Sequence, residues 1–248
     1  MASHSREALR GRPAEGVYWW QSAPLRVQEA SPIAARCDVV IVGAGYTGLG
    51  AAIRLARAGR IVQVFDRQAP GDGASTRNGG MTSGNVWPKF TELVRRFGEE
   101  RARAVLEEAR AAREDLYRFI AEEKVDCDFA LTGRFSGAAA PADYEMLARE
   151  AEALHRMFGI EAYAVPAGEH KRYVGTDLYH GGAVRMDIGG LHPAKLHAEL
   201  LRLALAAGAT VHGHTAVTGI RRDGDLHEVR TARGVVAARD VLVAVNGY

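Results

Sequence analysis

The hexapeptide Gly43-Ala44-Gly45-Tyr46-Thr47-Gly48 constrains this chain more than any other feature, because of what flanks it. Before it, Cys37 to Val42 is a short β-branched run suited to a buried parallel strand. After it, Leu49, Ala52, Ile53 and Ala56 recur at helical spacing, and Gly59 closes that helix. Ile61 to Phe65 reads as a second strand, ended by Asp66. Strand, tight turn, helix and strand make one parallel unit of about thirty residues. Glycine accounts for 28 of the 248 residues, so the three glycines alone mean little; their place between strand and helix carries the inference.

Each position then has a physical task. Gly43 permits the tight turn, Gly45 lets a pyrophosphate approach the backbone, and Gly48 lets the helix lie close to the strand, with Gly50 adding room. The helix N-terminus offers unpaired N–H groups and the positive end of its dipole to the phosphates. Asp66 ends the second strand, where a carboxylate accepts both ribose hydroxyls of an adenosine and repels a 2′-phosphate. A dinucleotide of the FAD or NAD kind is expected, and an NADP-type ligand is disfavoured. The next segment, Gly73-Ala74-Ser75-Thr76-Arg77-Asn78-Gly79-Gly80, is a second small-residue loop with hydroxyls, an amide and a guanidinium. Such a loop can line a cofactor longer than NAD, and its composition also suits a flexible surface loop.

Composition narrows the class. A formal net charge of +2, from 32 Lys+Arg against 30 Asp+Glu, gives no basic footprint for nucleic acid. With 47% hydrophobic residues the chain is expected to fold, and no apolar run reaches the length of a membrane span. The first dozen residues carry Arg6, Arg10 and Arg12 with no apolar stretch behind them, so no secretory signal is expected. Cys37 and Cys127 make neither a CxxC pair nor a zinc spacing, and both are expected to be reduced, packed side chains in a cytoplasmic protein.

Elsewhere, residues 1–35, with Tyr18-Trp19-Trp20, read as an arm that buries its rings on the body of the protein, or as the aromatic wall of a substrate site. Residues 67–88 read as a long loop. A long helix follows, with Ala102, Val105, Leu106, Ala109, Ala112, Leu116 and Ile120 on one face. Glu99/Arg103 and Glu114/Arg118 are its expected surface pairs. Strands are expected near 128–137, 178–186, 210–220, 226–231 and 241–245, and helices near 142–158 and 192–207. His212 and His214 would share a strand face, but no third metal ligand is evident and no metal is expected. His192, ahead of Pro193, reads as a structural helix start. No catalytic acid or base can be named.

The strings Val39 to Gly48 and Gly73 to Gly80 resemble the FAD-dependent oxidoreductases of the D-amino-acid-oxidase superfamily, in particular its gamma-glutamylputrescine oxidoreductase-like branch. Asp126-Cys127-Asp128, Tyr179-His180-Gly181-Gly182, Leu191-His192-Pro193-Ala194-Lys195 and Val245-Asn246-Gly247-Tyr248 extend the likeness over nearly the whole chain. The resemblance implies an α/β fold, a Rossmann-type FAD-binding domain interleaved with a β-rich substrate domain that is incomplete here. Residues 36–125 and 190–248 would form the first, 126–189 part of the second, and 1–35 the arm. It also implies a cofactor site. Gly43, Ala44, Gly45, Tyr46, Thr47 and Gly48 would hold the FAD pyrophosphate, and Asp66 with Arg67 the adenosine ribose. Ala74, Ser75, Arg77, Asn78, Gly79 and Gly80 would line the pyrophosphate and flavin edge, and the backbone of Val217 would meet adenine. Relatives can attach flavin through His or Cys; residues 67–91 contain neither, so that loop offers no covalent attachment.

The implied activity is oxidation of a C–N bond in a small amine or amino acid by hydride transfer to flavin. An imine forms and is hydrolysed to an aldehyde or keto acid, with hydrogen peroxide in the oxidase version. Members of this family are usually much longer, so a fragment, a truncated product or half of a split protein is expected, with a complementary subunit as partner. An NAD-dependent dehydrogenase and a non-catalytic FAD-binding fragment are the alternatives.

Overall fold

A computed structural model describes residues 16–26, 31–84, 86 and 90–247. The three N-terminal arginines, the first half of the arm and Tyr248 lie outside the described residues. In chain order, β1 (Arg36–Val42), α1 (Tyr46–Arg57) and β2 (Val62–Phe65) form the expected unit. α1 buries Leu49, Ala52, Ile53 and Ala56, and Gly59 turns out of it at φ +76°. A 3₁₀ turn at Ala74–Thr76 and the two-residue β3 (Met81–Thr82) interrupt the long loop. The helical region is α2 (Phe90–Phe97) and α3 (Glu99–Glu122), parted by Gly98 at φ +80°. Then come β4 (Arg134–Gly137), α4 (Pro141–Phe158), β5 (Ala162–Val165), β6 (Gly182–Arg185) and β7 (Gly189–Gly190). α5 (Pro193–Ala206), β8 (Thr210–His212), β9 (Val217–Asp223), β10 (Leu226–Thr231) and β11 (Gly234–Val243) follow.

The chain forms two compact units, one from the residues up to Asn78 together with Pro193 onward, the other Gly79–His192. In the first unit the sheet runs β8-β2-β1-β11-β10-β9. Its first four strands are parallel and its last three form an antiparallel meander, as β11 pairs with both β1 and β10. Ala237 and Ala238 are paired on both sides, whereas residues 240–243 pair only with β1 among the described residues. Cys37, Val40, Phe65, Val229, Val236 and Ala238 close one core cluster, with Val42, Val217 and Val241 packed against it. Gln63, buried in β2, ties the arm to the sheet: its amide donates to the Ala34 carbonyl at 2.9 Å and accepts the Ala34 N–H at 3.0 Å.

The second unit has the antiparallel sheet β4-β6-β5 and the short pair β3-β7. α4 covers the three-stranded sheet through Ala151, Ala162 and Ala183, with Leu147, Leu154 and Ile160 around them. Pro141 opens α4, and the Asp143 carboxylate accepts the Ala140 N–H at 3.0 Å. The buried face of α3 differs from the expected one. Val105 and Ala112 are exposed, and Arg113 is buried in their stead. Its guanidinium is held by Asp187, which also takes two bonds from Arg185 at 3.1 and 2.9 Å. Against its own burial, Arg185 and Arg113 hold the Asp187 carboxyl below its ordinary value.

Other expectations are corrected. Glu114 pairs with Arg110 at 2.7 Å and Arg118 turns to Asp115 at 2.8 Å, while Glu99 and Arg103 do pair, at 3.2 Å. The strand foreseen near 210–220 is two strands, because Gly213 and His214 break it and His214 sits at φ +49°. His212 and His214 therefore do not share a strand face. The strand foreseen at 241–245 starts seven residues earlier, at Gly234, and β5 was not foreseen. Tyr18 is 72% exposed and neither tryptophan of the arm is fully buried. Cys37 and Cys127 are buried and form no disulfide with each other, and burial pushes the Cys37 thiol up. No helix among the described residues is long and apolar enough to cross a membrane.

His212 stacks on Phe65 with ring centroids 4.9 Å apart, its Nδ1 is 3.3 Å from Ser31 Oγ, and its Nε2 is buried without a partner among the described residues. Burial lowers its pKa, with Arg233 adding to the effect, and burial also lowers that of His197. Both therefore bind protons less readily in the folded chain than in the unfolded one. Stability should fall as pH drops below the ordinary histidine value of 6.5, before the low-lying carboxylates of Asp187 and Glu114 lose their contribution. Urea midpoints measured across that window check this, and His212→Gln should flatten the slope. An unchanged midpoint through the window would refute it.

Candidate functional site

Gly43 adopts φ +106°, and a Cβ there would lie 2.5 Å from the Ala244 carbonyl oxygen. Its N–H donates to Phe65 O at 2.7 Å, and Ala244 N–H donates to Val42 O at 2.8 Å. The turn is thus pinned to the tips of β1, β2 and β11. A Cβ on Gly48 would meet Gly43 O at 1.9 Å, so helix and turn touch backbone to backbone. The entry to α1 has no side-chain cap and no acidic residue in its first turn. Its first N–H groups have no acceptor within the helix. The Tyr46 N–H goes to Ser75 Oγ at 3.0 Å, and a Cβ on Gly45 would sit 2.8 Å from that same oxygen. Gly45 therefore admits Ser75 to the mouth of the helix, a role beyond the backbone approach expected of it.

Asp66 faces the same turn. Its Oδ2 accepts the Ala44 N–H at 2.8 Å and its Oδ1 the Gln68 N–H at 2.9 Å. Each oxygen keeps capacity for a further donor. Its backbone is fixed by the next strand, as Asp66 N–H donates to His212 O and Thr215 N–H to Asp66 O, at 2.9 and 2.7 Å. Arg67 is exposed beside it, and Thr47 is exposed on the first turn of α1.

The second loop is an ordered 3₁₀ turn. The Asn78 amide donates to the Ala74 and Ser75 carbonyls at 3.2 and 2.9 Å. Arg77 is occupied: Nε donates to Asp72 O at 2.8 Å, its guanidinium pairs with the Asp72 carboxylate, and its Cζ stands 4.7 Å from the Trp20 ring centre. The arm buttresses the loop, since Trp20 Nε1 donates to Thr76 Oγ1 at 2.9 Å and Trp19 Nε1 to Asn78 O at 2.7 Å. Val217 opens β9 opposite Thr231 and is half-buried against the core cluster. Gly79 and Gly80 belong to the other unit, where Gly80 O accepts the Leu191 N–H at 2.8 Å. Residues Gly43 to Gly48, Asp66 and Ser75 are thus brought to one place, while Arg77 and Asn78 spend their side chains on the loop itself.

The sequence reading missed His197. It lies on α5, is buried, and its Nε2 is 2.7 Å from Ala44 O. Tyr46 makes a second tie to α5 by donating its hydroxyl to Pro193 O at 2.9 Å. A helix mouth whose N-cap glycine brings no side-chain cap, and a carboxylate with spare lone pairs across the turn, fit a diphosphate linked to a ribose.

The comparisons with known proteins agree with that chemistry. A protein-family model described as FAD dependent oxidoreductase (DAO) matches residues 38–248. A probable oxidoreductase OrdL of Rhizobium meliloti (strain 1021) is 34% identical over 245 residues, covering 95% of this chain and 56% of the relative. The gamma-glutamylputrescine oxidoreductase of Escherichia coli (strain K12) is 33% identical over 219 residues, covering 86% of this chain and 49% of the relative. Among solved structures, glycine oxidase from Geobacillus kaustophilus superposes with a TM-score of 0.72 at 25% identity, covering 85% of this chain and 55% of that one. The chain spans about half the length of the curated relatives it matches.

Proposed function

The chain belongs to the family of FAD dependent oxidoreductases, and from that premise we propose that its first unit binds FAD and that it serves the oxidation of a C–N bond in a small amine or amino acid. The observation that carries the reading is the mouth of α1, opened by a glycine N-cap with no side-chain cap of its own and faced by the Asp66 carboxylate and the Ser75 hydroxyl. In this reading the turn from Gly43 to Gly48 cradles the pyrophosphate with the N–H groups of Gly45, Thr47 and Gly48 as donors, those of Gly43, Ala44 and Tyr46 going to Phe65 O, Asp66 Oδ2 and Ser75 Oγ. Asp66 accepts the ribose hydroxyls, and Val217 presents its backbone to adenine. Ser75 sets the direction of the helix mouth. Arg77 and Asn78 keep the second loop in shape, which assigns them a supporting part. In this reading the first unit serves the cofactor and the second, Gly79–His192, the substrate, bounds that differ from the 36–125, 190–248 and 126–189 expected from the sequence; the cell compartment would be the cytoplasm. When bound, FAD supplies a two-electron acceptor for the hydride that leaves the carbon beside nitrogen. The resulting imine is hydrolysed by water to an aldehyde or keto acid. A nicotinamide cofactor has no support from the family that the chain matches.

A second reading is favoured by one observation: residues 240–243 of β11 pair on one side only among the described residues. There the unit holds FAD and a complementary polypeptide completes the activity. One experiment separates the two. The FAD-loaded chain, freed of excess cofactor, is titrated without oxygen against a panel of amines and amino acids while its visible flavin band is followed. Bleaching by at least one of them supports the first reading. Retained FAD that no member of the panel bleaches, with free dithionite still able to do so, overturns it in favour of the second.

A further inference from the structure

We propose that His197 is a positioning residue for the cofactor, setting the direction in which the Gly45 N–H points by holding the Ala44 carbonyl. This rests on the FAD reading of the site. Ala44 has both backbone polar groups tied, its N–H to Asp66 Oδ2 at 2.8 Å and its carbonyl to His197 Nε2 at 2.7 Å. In a planar trans peptide the carbonyl of one residue and the N–H of the next point in opposite directions. Turning the Ala44 carbonyl toward α5 therefore turns the Gly45 N–H away from it. That N–H is one of those that the helix mouth offers to an anion.

Four features hold the imidazole to this task. A carbonyl can only accept, so Nε2 carries a proton. The ring lies flush against Gly71, where a Cβ would come within 2.7 Å of Cε1 and 2.8 Å of Nδ1. Tyr46 cannot compete for the carbonyl, because its hydroxyl already donates to Pro193 O at 2.9 Å. Burial, against the opposing pull of the Ala44 carbonyl and Asp66, lowers the pKa and so disfavours a second proton on the ring.

The test uses the wild-type chain, His197→Gln and His197→Met. Glutamine can place an amide N–H near the position of Nε2, whereas methionine fills the volume without a donor. FAD dissociation constants from fluorescence titration are compared with urea midpoints of the FAD-free chains. The expected result is a loss of about tenfold or more in affinity for Met. Gln should stay within about threefold of wild type. The proposal is overturned if Gln and Met bind FAD alike, or if the affinities only follow the midpoints. A second measurement needs no variant: nitrogen chemical shifts of ¹⁵N-labelled histidine in the FAD-loaded chain should show the Nε2–H tautomer at His197. An Nδ1–H tautomer overturns the proposal. A wild-type chain that takes up no FAD removes the reading beneath it, an outcome distinct from equal binding by the variants.

Discussion

Gly48→Ala is expected to abolish FAD uptake and to cost about 3 kcal/mol of stability, at the upper end of what overpacking a core produces. The added Cβ would lie 1.9 Å from Gly43 O and 3.2 Å from Ile41 Cγ2. The first contact is with backbone, so no rotamer change relieves it. Gly43 cannot retreat either, being held by Phe65 O at 2.7 Å and crowded by Ala244 O. Helix and turn must separate, and the N–H groups at the helix mouth move apart with them. Gly50→Ala is the matched control on the same helix. Nothing lies within 4 Å of its would-be Cβ, so relief of the glycine's backbone entropy should stabilise the chain by about 0.5–1 kcal/mol. Urea unfolding and FAD titration of both variants check the pair. Equal effects of the two would show that the close approach at Gly48 is not what shapes the site.

Asp66→Ala is expected to weaken FAD binding by about a hundredfold, the order lost with a charge-assisted hydrogen bond or two. It removes the acceptor for the Ala44 and Gln68 N–H groups as well as the two oxygens proposed for the ribose. Asp66→Asn keeps one carbonyl oxygen and should fall between, near tenfold. Fluorescence titration measures both. An alanine variant that binds FAD as wild type would refute the ribose assignment while leaving the helix mouth untouched.

The parts of this site that are local in sequence could be read from it. β1, the turn, α1 and β2 lie within about thirty residues, and each is set by short-range chemistry: β-branched runs, glycine at φ +106°, a glycine helix stop. Asp66 follows from its place at the end of β2. What could not be read depends on distant partners. His197 meets Ala44 across 153 positions of chain, and nothing in the helix that carries it separates it from an ordinary buried histidine. Arg113 meets Asp187 across 74 positions, which places a charge on the face where periodicity expected an alanine. β11 was read too short because Ala237-Ala238-Arg239-Asp240 lacks a strand signature; pairing with β1 and β10 supplies it. The guanidinium of Arg77, expected along the pyrophosphate from the resemblance, pairs with an aspartate five residues away and stands over a tryptophan of the arm, contacts that its place in a glycine-rich loop does not announce.

The most direct test of the cofactor assignment is the visible spectrum of the purified 248-residue chain after exposure to FAD and gel filtration, repeated on the supernatant after acid precipitation. A flavin spectrum in near-stoichiometric amount is expected, all of it released by acid and identified as FAD by chromatography. Release is expected because the loop at residues 67–91 contains neither histidine nor cysteine. A folded chain that emerges colourless, or one that binds NADH in place of FAD, would contradict it.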